Sequence, residues 1–263
     1  MTPESTANAA AAMIAARDTG GPCPRLDGDQ RPQDQAEGYA IQDAIIAQRL
    51  DSSEALGGWK IGCTTATMQE MLGIDSPAGG AVMGGNVLTS PAEIPASTTH
   101  NPVVECEIGV RIASDVPARE GGHDANSIGE HVATCFAAIE LAEMRYAERD
   151  IMGVPEFIAD DFFQRGVVVG PEVADWRNVD LLSARGTTTI AGDYKGEGFG
   201  RDVMGHPFAA LAWLANALHD RGHQLLAGQV VLTGSLVPAM PIARGETAVC
   251  DVMGLGGARL TLL

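Results

Sequence analysis

Four short runs constrain this 263-residue chain more than any other feature: GVVVG at 166–170, GTTTIAG at 186–192, QVVLTGSL at 229–236 and ARLTLL at 258–263. β-Branched side chains crowd a helix but pack well on a pleated surface, and the glycines beside these runs mark turns. The chain is therefore written for many short strands. Helical spacing is confined to a few places. Residues 8–16 are Ala-rich, and after the Pro/Gly break GGPCPRLDGDQRP the stretch QDQAEGYAIQDAIIAQRLDS sets Tyr39, Ile41, Ile45, Ile46 and Leu50 near helical spacing. HPFAALAWLANALHDRG is a third, strongly amphipathic helix stopped by Gly222. The expected fold class is α+β: a small helical N-terminal region over 1–57 packed on a mixed, β-rich body over 58–263.

Between these landmarks GGWKIGCTT predicts a strand leaving a glycine turn, ATMQEMLGI a short helix, and residues 80–115 loops and strands punctuated by Pro and Gly. Ser127 with Glu130 has the spacing of a capping box, so a helix is expected to start there. The segment that follows, AAIELAEM at 137–144, fits either a continuation of that helix or a new strand.

The stretch NPVVECEIGV, residues 101–110, places two acids among valines and isoleucine. In a strand Glu105 and Glu107 point to one face and Val104, Cys106 and Ile108 to the other. Two carboxylates on one face repel and raise each other's pKa unless a cation lies between them. Two readings stay open here: a solvated edge strand with an acidic outer face, or half of a cation site. Glu140 is a surface helix residue on the first reading and a third oxygen ligand on the second. Three carboxylates with no His or Cys cluster nearby suit a hard divalent ion, Mg2+ or Mn2+, that keeps positions open for water and an anionic substrate.

Other ionisable groups in apolar settings are Lys60, between Trp59 and Ile61, and Asp160 and Asp161 in FIADDFF. A desolvated lysine with a lowered pKa serves in proton transfer, while a surface lysine with a buried stem serves nothing. The six histidines are scattered, and the glycines of GEGFGRDVMGHP make no dinucleotide fingerprint.

Net charge narrows the partners. At −17, with only 17 Lys and Arg spread along the chain, the protein is a poor binder of nucleic acid or of an anionic membrane surface. An anionic ligand then needs a metal or a local cation. The five cysteines show no CxxC pair or metal-finger spacing, the N-terminus has no basic region leading into an apolar run, and no 18-residue apolar stretch exists. A cytoplasmic protein with reduced thiols is expected.

The segments GWKIG, VVECEIGV, AAIELAEMRY, FIADD, GHPFAALAWLANAL, GQVVLTGSL and GLGGARLTL occur in the order seen in the fumarylacetoacetate hydrolase superfamily. More narrowly, the chain from about residue 36 resembles the 2-keto-4-pentenoate hydratase and 4-oxalocrotonate decarboxylase branch. The resemblance implies a twisted, barrel-like sheet body and assembly into homo-oligomers. It implies that Glu105, Glu107 and Glu140 ligate Mg2+ or Mn2+, that Lys60 and Asp160 are catalytic, and that Ser235 contacts the substrate carboxylate. The implied activity is hydration of a 2-hydroxyalka-2,4-dienoate to a 4-hydroxy-2-oxo acid. The alternatives are a decarboxylase, a tautomerase or a carbon–carbon hydrolase acting on a related 2-oxo acid, or a silent partner subunit. The companion protein such a branch member suggests is a pathway decarboxylase. The hydrolytic relatives use a His–Glu pair near the metal, and His100 is the one histidine close to Glu105 in sequence.

The chain departs from the branch at two places. Gly84, Gly85 and Asn86 stand where an acid of a G-x-L-x-D stretch is usual, and ADDFF replaces A-D-N-A-S, so that Phe162 and Phe163 take the place of small residues. Adjacent aromatics on a strand are commonly core. If Phe163 faces the pocket instead, a bulkier or more apolar 2-oxo acid is the expected substrate.

Overall fold

In the computed structural model, described over residues 1–19, 23, 25–146 and 152–263, two helices precede the first strand. α1 spans Pro3–Thr19 and α2 Gln35–Asp51; Asp34 caps α2 by accepting the Glu37 N–H. Ala9, Ala10 and Met13 of α1 pack on Ile41 and Ile45 of α2, so the alanine run lets the two helices approach closely. Ile46 turns instead to the main core, and Leu50 lies exposed near the end of α2.

The strands follow in the order β1 (Leu56–Gly62), β2 (Ala78–Met83), β3 (Val87–Thr89), β4 (Ala92–Ile94), β5 (Pro102–Ile112), β6 (Val132–Glu143), β7 (Gln164–Val169), β8 (Arg185–Ile190), β9 (Asp193–Phe199), β10 (Val230–Pro241), β11 (Thr247–Val252) and β12 (Gly256–Leu262). Helices α3 (Ala66–Leu72), α4 (Ala125–Gly129), α5 (Val154–Ala159) and α6 (Pro207–Asp220) lie between them. All four β-branched runs are strands, and α6 ends where Gly222 takes φ 77°. The body holds a seven-stranded sheet ordered β2-β1-β10-β5-β6-β7-β3 and a five-stranded sheet ordered β4-β12-β11-β8-β9. Cys106, Ile108 and Val110 of β5 share one core with Ala248 and Cys250 of β11 and with Leu211, Leu214 and Leu218 of α6. The cysteines are all unpaired, and four of the five are buried as small apolar side chains.

One expectation is corrected and one open reading is decided. The division at 57 falls inside β1, and α5 packs with the N-terminal helices, Ala159 against Ile41 and Ile45. The helix near Ser127 is only five residues long, and its cap is Asp124, which exchanges hydrogen bonds with Ser127; Glu130 is already its C-cap. The segment 137–144 is no helix, since β6 runs to Glu143. It is central, hydrogen-bonded to β5 and β7 on its two sides and buried on both faces. A strand buried on both faces shows a continuous apolar run with no alternation to mark it. Among the described residues no helix is long and apolar enough to cross a membrane.

Candidate metal centre

β5 lies between β10 and β6, so the same-face pair Glu105 and Glu107 sits in the middle of the large sheet and not on its edge. The antiparallel register puts Glu105 directly opposite Glu140 of β6, and Glu107 opposite Ala138 on one side and Ser235 on the other. One carboxylate oxygen from each of Glu105, Glu107 and Glu140 lies within 4.8 Å of the other two. Like charges set opposite one another in a sheet destabilise it. Glu107 and Glu140 are each only 1% exposed, which removes water as a remedy.

The protein supplies part of the compensation. Gly234 N–H donates to Glu107 Oε2 at 2.7 Å, and Lys60 Nζ of β1 lies 3.1 Å from Glu140 Oε1. The first contact depends on a glycine. β10 shifts register around Ser235, Gly234 takes φ 122°, and a Cβ there would stand 2.5 Å from Thr64 Oγ1. Glu107 Oε1 and Glu140 Oε2 nonetheless receive no hydrogen bond among the described residues. Burial, then the charges of Glu140 and Glu105, push the Glu107 carboxyl well above its ordinary range. Burial likewise raises Glu140 to about 7, against the pull of Lys60.

Buried carboxylate oxygens without donors, in a cluster of oxygen ligands only, fit a hard divalent cation such as Mg2+ or Mn2+. Lys60 alone does not satisfy three acids.

Neither reading left open for Lys60 holds: it is buried, not a surface lysine, and its pKa is not lowered. Burial does push the ammonium down, but the carboxylates of Glu140, Glu105 and Glu107 outweigh it and hold the group above its ordinary value. The flanking residues set the burial; the cross-strand acids, distant in sequence, set the sign.

A cavity of about 380 Å3 opens beside these groups. Lys60, Glu105 and Ser235 line it from β1, β5 and β10; Met68, Met71 and Leu72 of α3, Phe157 of α5, and both Phe162 and Phe163 complete the wall. Ser235 faces the cavity, with its Oγ–H donated to the Val237 carbonyl. Thr64 and Asp202 also line it. Neither stands out in the sequence, because Asp202 ends a single 3-10 turn, Gly200–Asp202, and Thr64 meets Gly234 only once β1 and β10 are neighbours. None of the histidines lines the cavity, His100 included, and the Gly84–Asn86 turn lies outside the lining.

Asp160 is not brought to the glutamates. Its carboxylate is fully buried between Arg17, with Nη2 2.7 Å from Oδ1, and Arg145, with Nη2 3.0 Å from Oδ2. Asp161 pairs with Arg17 Nη1 at 2.9 Å and accepts the Ala81 N–H at 2.8 Å. These contacts clamp a strained turn, not the strand expected of adjacent aromatics. Asp161, Phe162 and Phe163 have φ 52°, 49° and 68°, a left-handed run costing about 1–2 kcal/mol per residue.

Arg17, from the N-terminal helix, thus acts on the cavity through the turn that carries its rings. Removing one partner of a buried ion-pair network costs about 3–5 kcal/mol, so Arg17→Met is expected to lower the melting temperature by about 10 °C. It should also raise KM while leaving Mn2+ affinity as in the wild type. Arg17→Lys should recover part of both losses. Thermal melts and kinetics of the two variants check this, and an unchanged KM in Arg17→Met would confine Arg17 to stability.

No protein-family model matches the chain. Relatives do. The chain is 29% identical to the 2-keto-4-pentenoate hydratase of Paraburkholderia xenovorans (strain LB400) over 259 residues, which cover 98% of this chain and 95% of the relative. It is 32% identical to the 2-keto-4-pentenoate hydratase of Paraburkholderia phymatum (strain DSM 17167 / CIP 108236 / LMG 21445 / STM815) over 221 residues, 84% of this chain and 83% of the relative. Its fold matches the structure of 4-oxalocrotonate decarboxylase from Pseudomonas putida G7 complexed with magnesium and adipate, with a TM-score of 0.93 at 22% identity over 100% of this chain and 99% of the other. The chain belongs to the 2-keto-4-pentenoate hydratase family.

Proposed function

We propose that the chain is a divalent-metal-dependent hydratase that adds water to a 2-hydroxyalka-2,4-dienoate and releases a 4-hydroxy-2-oxo acid. The observation that carries this reading is the set of three clustered carboxylates and one buried lysine beside a cavity large enough for a small organic acid. Glu105, Glu107 and Glu140 would hold Mg2+ or Mn2+, which when bound supplies a Lewis acid for the negative charge that develops on a 2-oxo acid as its enol and keto forms interconvert.

The remaining work falls to the chain's own groups. Hydration needs a proton at C5 to convert the dienol to an enone, water at C4, and a proton at C3 to finish the addition. Lys60 is the one cation among the described lining residues, and its ammonium stands at the cavity wall, placed to hand a proton to a substrate carbon. Ser235 holds the substrate carboxylate once its hydroxyl turns from the Val237 carbonyl. Asp160, expected to be catalytic, serves the site by fixing the Phe162–Phe163 turn together with Arg17 and Arg145. A hydrolase reading loses support because no histidine is among the described residues that line the cavity. A silent-subunit reading loses support because the lysine and all three acids are assembled.

The test is an ultraviolet assay of purified protein on freshly generated 2-hydroxypenta-2,4-dienoate. Loss of the dienol absorbance is expected with Mg2+ or Mn2+ and at most a background rate after chelation; equal rates in the two conditions would sink the metal-dependent reading.

A further inference from the structure

We infer that the chain carries a second ligand site, separate from the metal centre, that takes a small organic acid: one carboxylate on a short apolar body. The site is a cavity of about 290 Å3 between the N-terminal helices and the large sheet. Arg17 of α1, Arg49 of α2, Arg145 just after β6 and Arg165 of β7 converge on it. Four of the 17 Lys and Arg side chains thus meet at one place in a protein of net charge −17. Among the described residues, none lines both this cavity and the one beside the glutamates. The Asp161–Phe163 turn lies between the two, with Asp161 on this cavity and both rings on the other.

The four arginines are not held alike. Arg17 and Arg145 are committed to the buried pair Asp160 and Asp161 and form a fixed positive wall. Arg49 and Arg165 are free to exchange partners. Arg49 pairs with Asp18 at 2.5 Å and Glu54 at 2.9 Å, acids whose side chains are 55% and 39% exposed, and ion pairs so open to water contribute little. Arg165 reaches Glu143 Oε1 only at 3.4 Å and donates from Nη1 to Asn86 Oδ1 at 3.2 Å. Next to it, Gln164 also lines the cavity. Gln164 is buried, and its Nε2 has no hydrogen-bond partner among the described residues. A buried amide donor without an acceptor is costly, and a carboxylate oxygen supplies the acceptor. Two guanidinium forks beside an amide N–H match the planar, two-oxygen geometry of a carboxylate. With Asp18 and Glu54 released to water, four arginines face three acids, Asp160, Asp161 and Glu143, which leaves a charge suited to a monoanion. Ile45, Ile46 and Met83 line the same cavity. They reward an apolar body that leaves water, and a bare phosphate would leave them unused.

The test uses metal-stripped full-length protein, freed of chelator by gel filtration and labelled with nitrogen-15 arginine. Without metal, three glutamates repel a carboxylate from the other cavity. Hexanoate, its neutral isostere hexanamide and inorganic phosphate are titrated in while the arginine Nε–H signals are followed by NMR, with Arg49 and Arg165 assigned from the Arg49→Gln and Arg165→Gln variants. Hexanoate is expected to move both signals saturably and to bind at least about tenfold tighter than hexanamide or phosphate. Arg165→Gln and Arg49→Gln should each weaken hexanoate by about tenfold or more. Both positions are held by exposed or long contacts, so the variants should melt close to the wild type; two separate variants keep the test open if one melts early. No saturable shift with hexanoate, or equal binding by the wild type and both variants, overturns the site. Phosphate bound as tightly as hexanoate overturns the organic-acid assignment in favour of a free phosphate site.

Discussion

Glu107→Gln is expected to weaken Mn2+ binding by well over a hundredfold and to remove metal-dependent turnover. Replacing groups that merely support metal ligands costs about 10- to 100-fold in affinity, and Glu107 would be a ligand itself. The fold should survive, because the amide oxygen can still accept the Gly234 N–H that Glu107 Oε2 now accepts. Stability supplies the sharper signature. Burial and two neighbouring acids hold the Glu107 carboxyl well above its ordinary pKa, and Glu140 stands at about 7. For a carboxyl raised in this way the folded state binds more protons than the unfolded state between the two pKa values, so its contribution to stability falls as pH rises through that window. The metal-free wild type therefore carries a charge penalty at about pH 8 that the neutral amide of the Glu107→Gln variant relieves. The metal-free variant should melt above the metal-free wild type at that pH, and the difference should shrink as pH falls below about 7 and close near the ordinary carboxyl pKa of about 4.5. A wild-type protein stabilised by these carboxylates for structural reasons alone would show the reverse order. Melting curves with chelator on either side of the Glu140 transition, with Mn2+ titrations alongside, check the prediction.

Lys60→Met separates chemistry from metal binding. Methionine fills the volume of the lysine stem without the ammonium that lies 3.1 Å from Glu140 Oε1. Loss of a positioned proton donor is expected to lower kcat by about a thousandfold. Mn2+ affinity should hold or rise, since three acids that shared a cation now have only the metal. Without metal the variant should be less stable by about 3–5 kcal/mol, the cost of leaving a buried charge without its partner, and saturating Mn2+ should restore most of that loss. Recovery of stability without recovery of turnover assigns Lys60 to the reaction. Recovery of both would reduce it to a counter-ion for Glu140.

Legibility in the sequence depends on how far apart the interacting residues lie. β-Branched runs ended by glycine became strands, and the apolar stripe of 207–220 became α6, because those signals are local. Glu105 and Glu107 were visible as a same-face pair from strand alternation alone. Glu140 was not assignable from its own neighbourhood, since a strand buried on both faces resembles a buried helix segment; the family resemblance placed it beside the pair, and the β5–β6 register sets it opposite Glu105. The sign of the Lys60 pKa shift failed for a related reason, as its acids arrive from β5 and β6. The setting of Asp160 was not legible because its partners are non-local: Arg17 is 143 residues away and no spacing rule links them. The left-handed turn at Asp161–Phe163 contains no glycine to announce it. It exists because Arg17, Arg145 and the Ala81 N–H hold both aspartates.

Product analysis in oxygen-18 water tests the central claim most directly. Mn2+-loaded protein is incubated with 2-hydroxypenta-2,4-dienoate, and the product is reduced and examined by mass spectrometry. The account predicts a 4-hydroxy-2-oxo acid with one solvent oxygen at C4, absent from metal-stripped protein and from Lys60→Met. Release of CO2, or a keto isomer with no solvent oxygen at C4, would contradict it and assign the same glutamates and lysine to decarboxylation or tautomerisation.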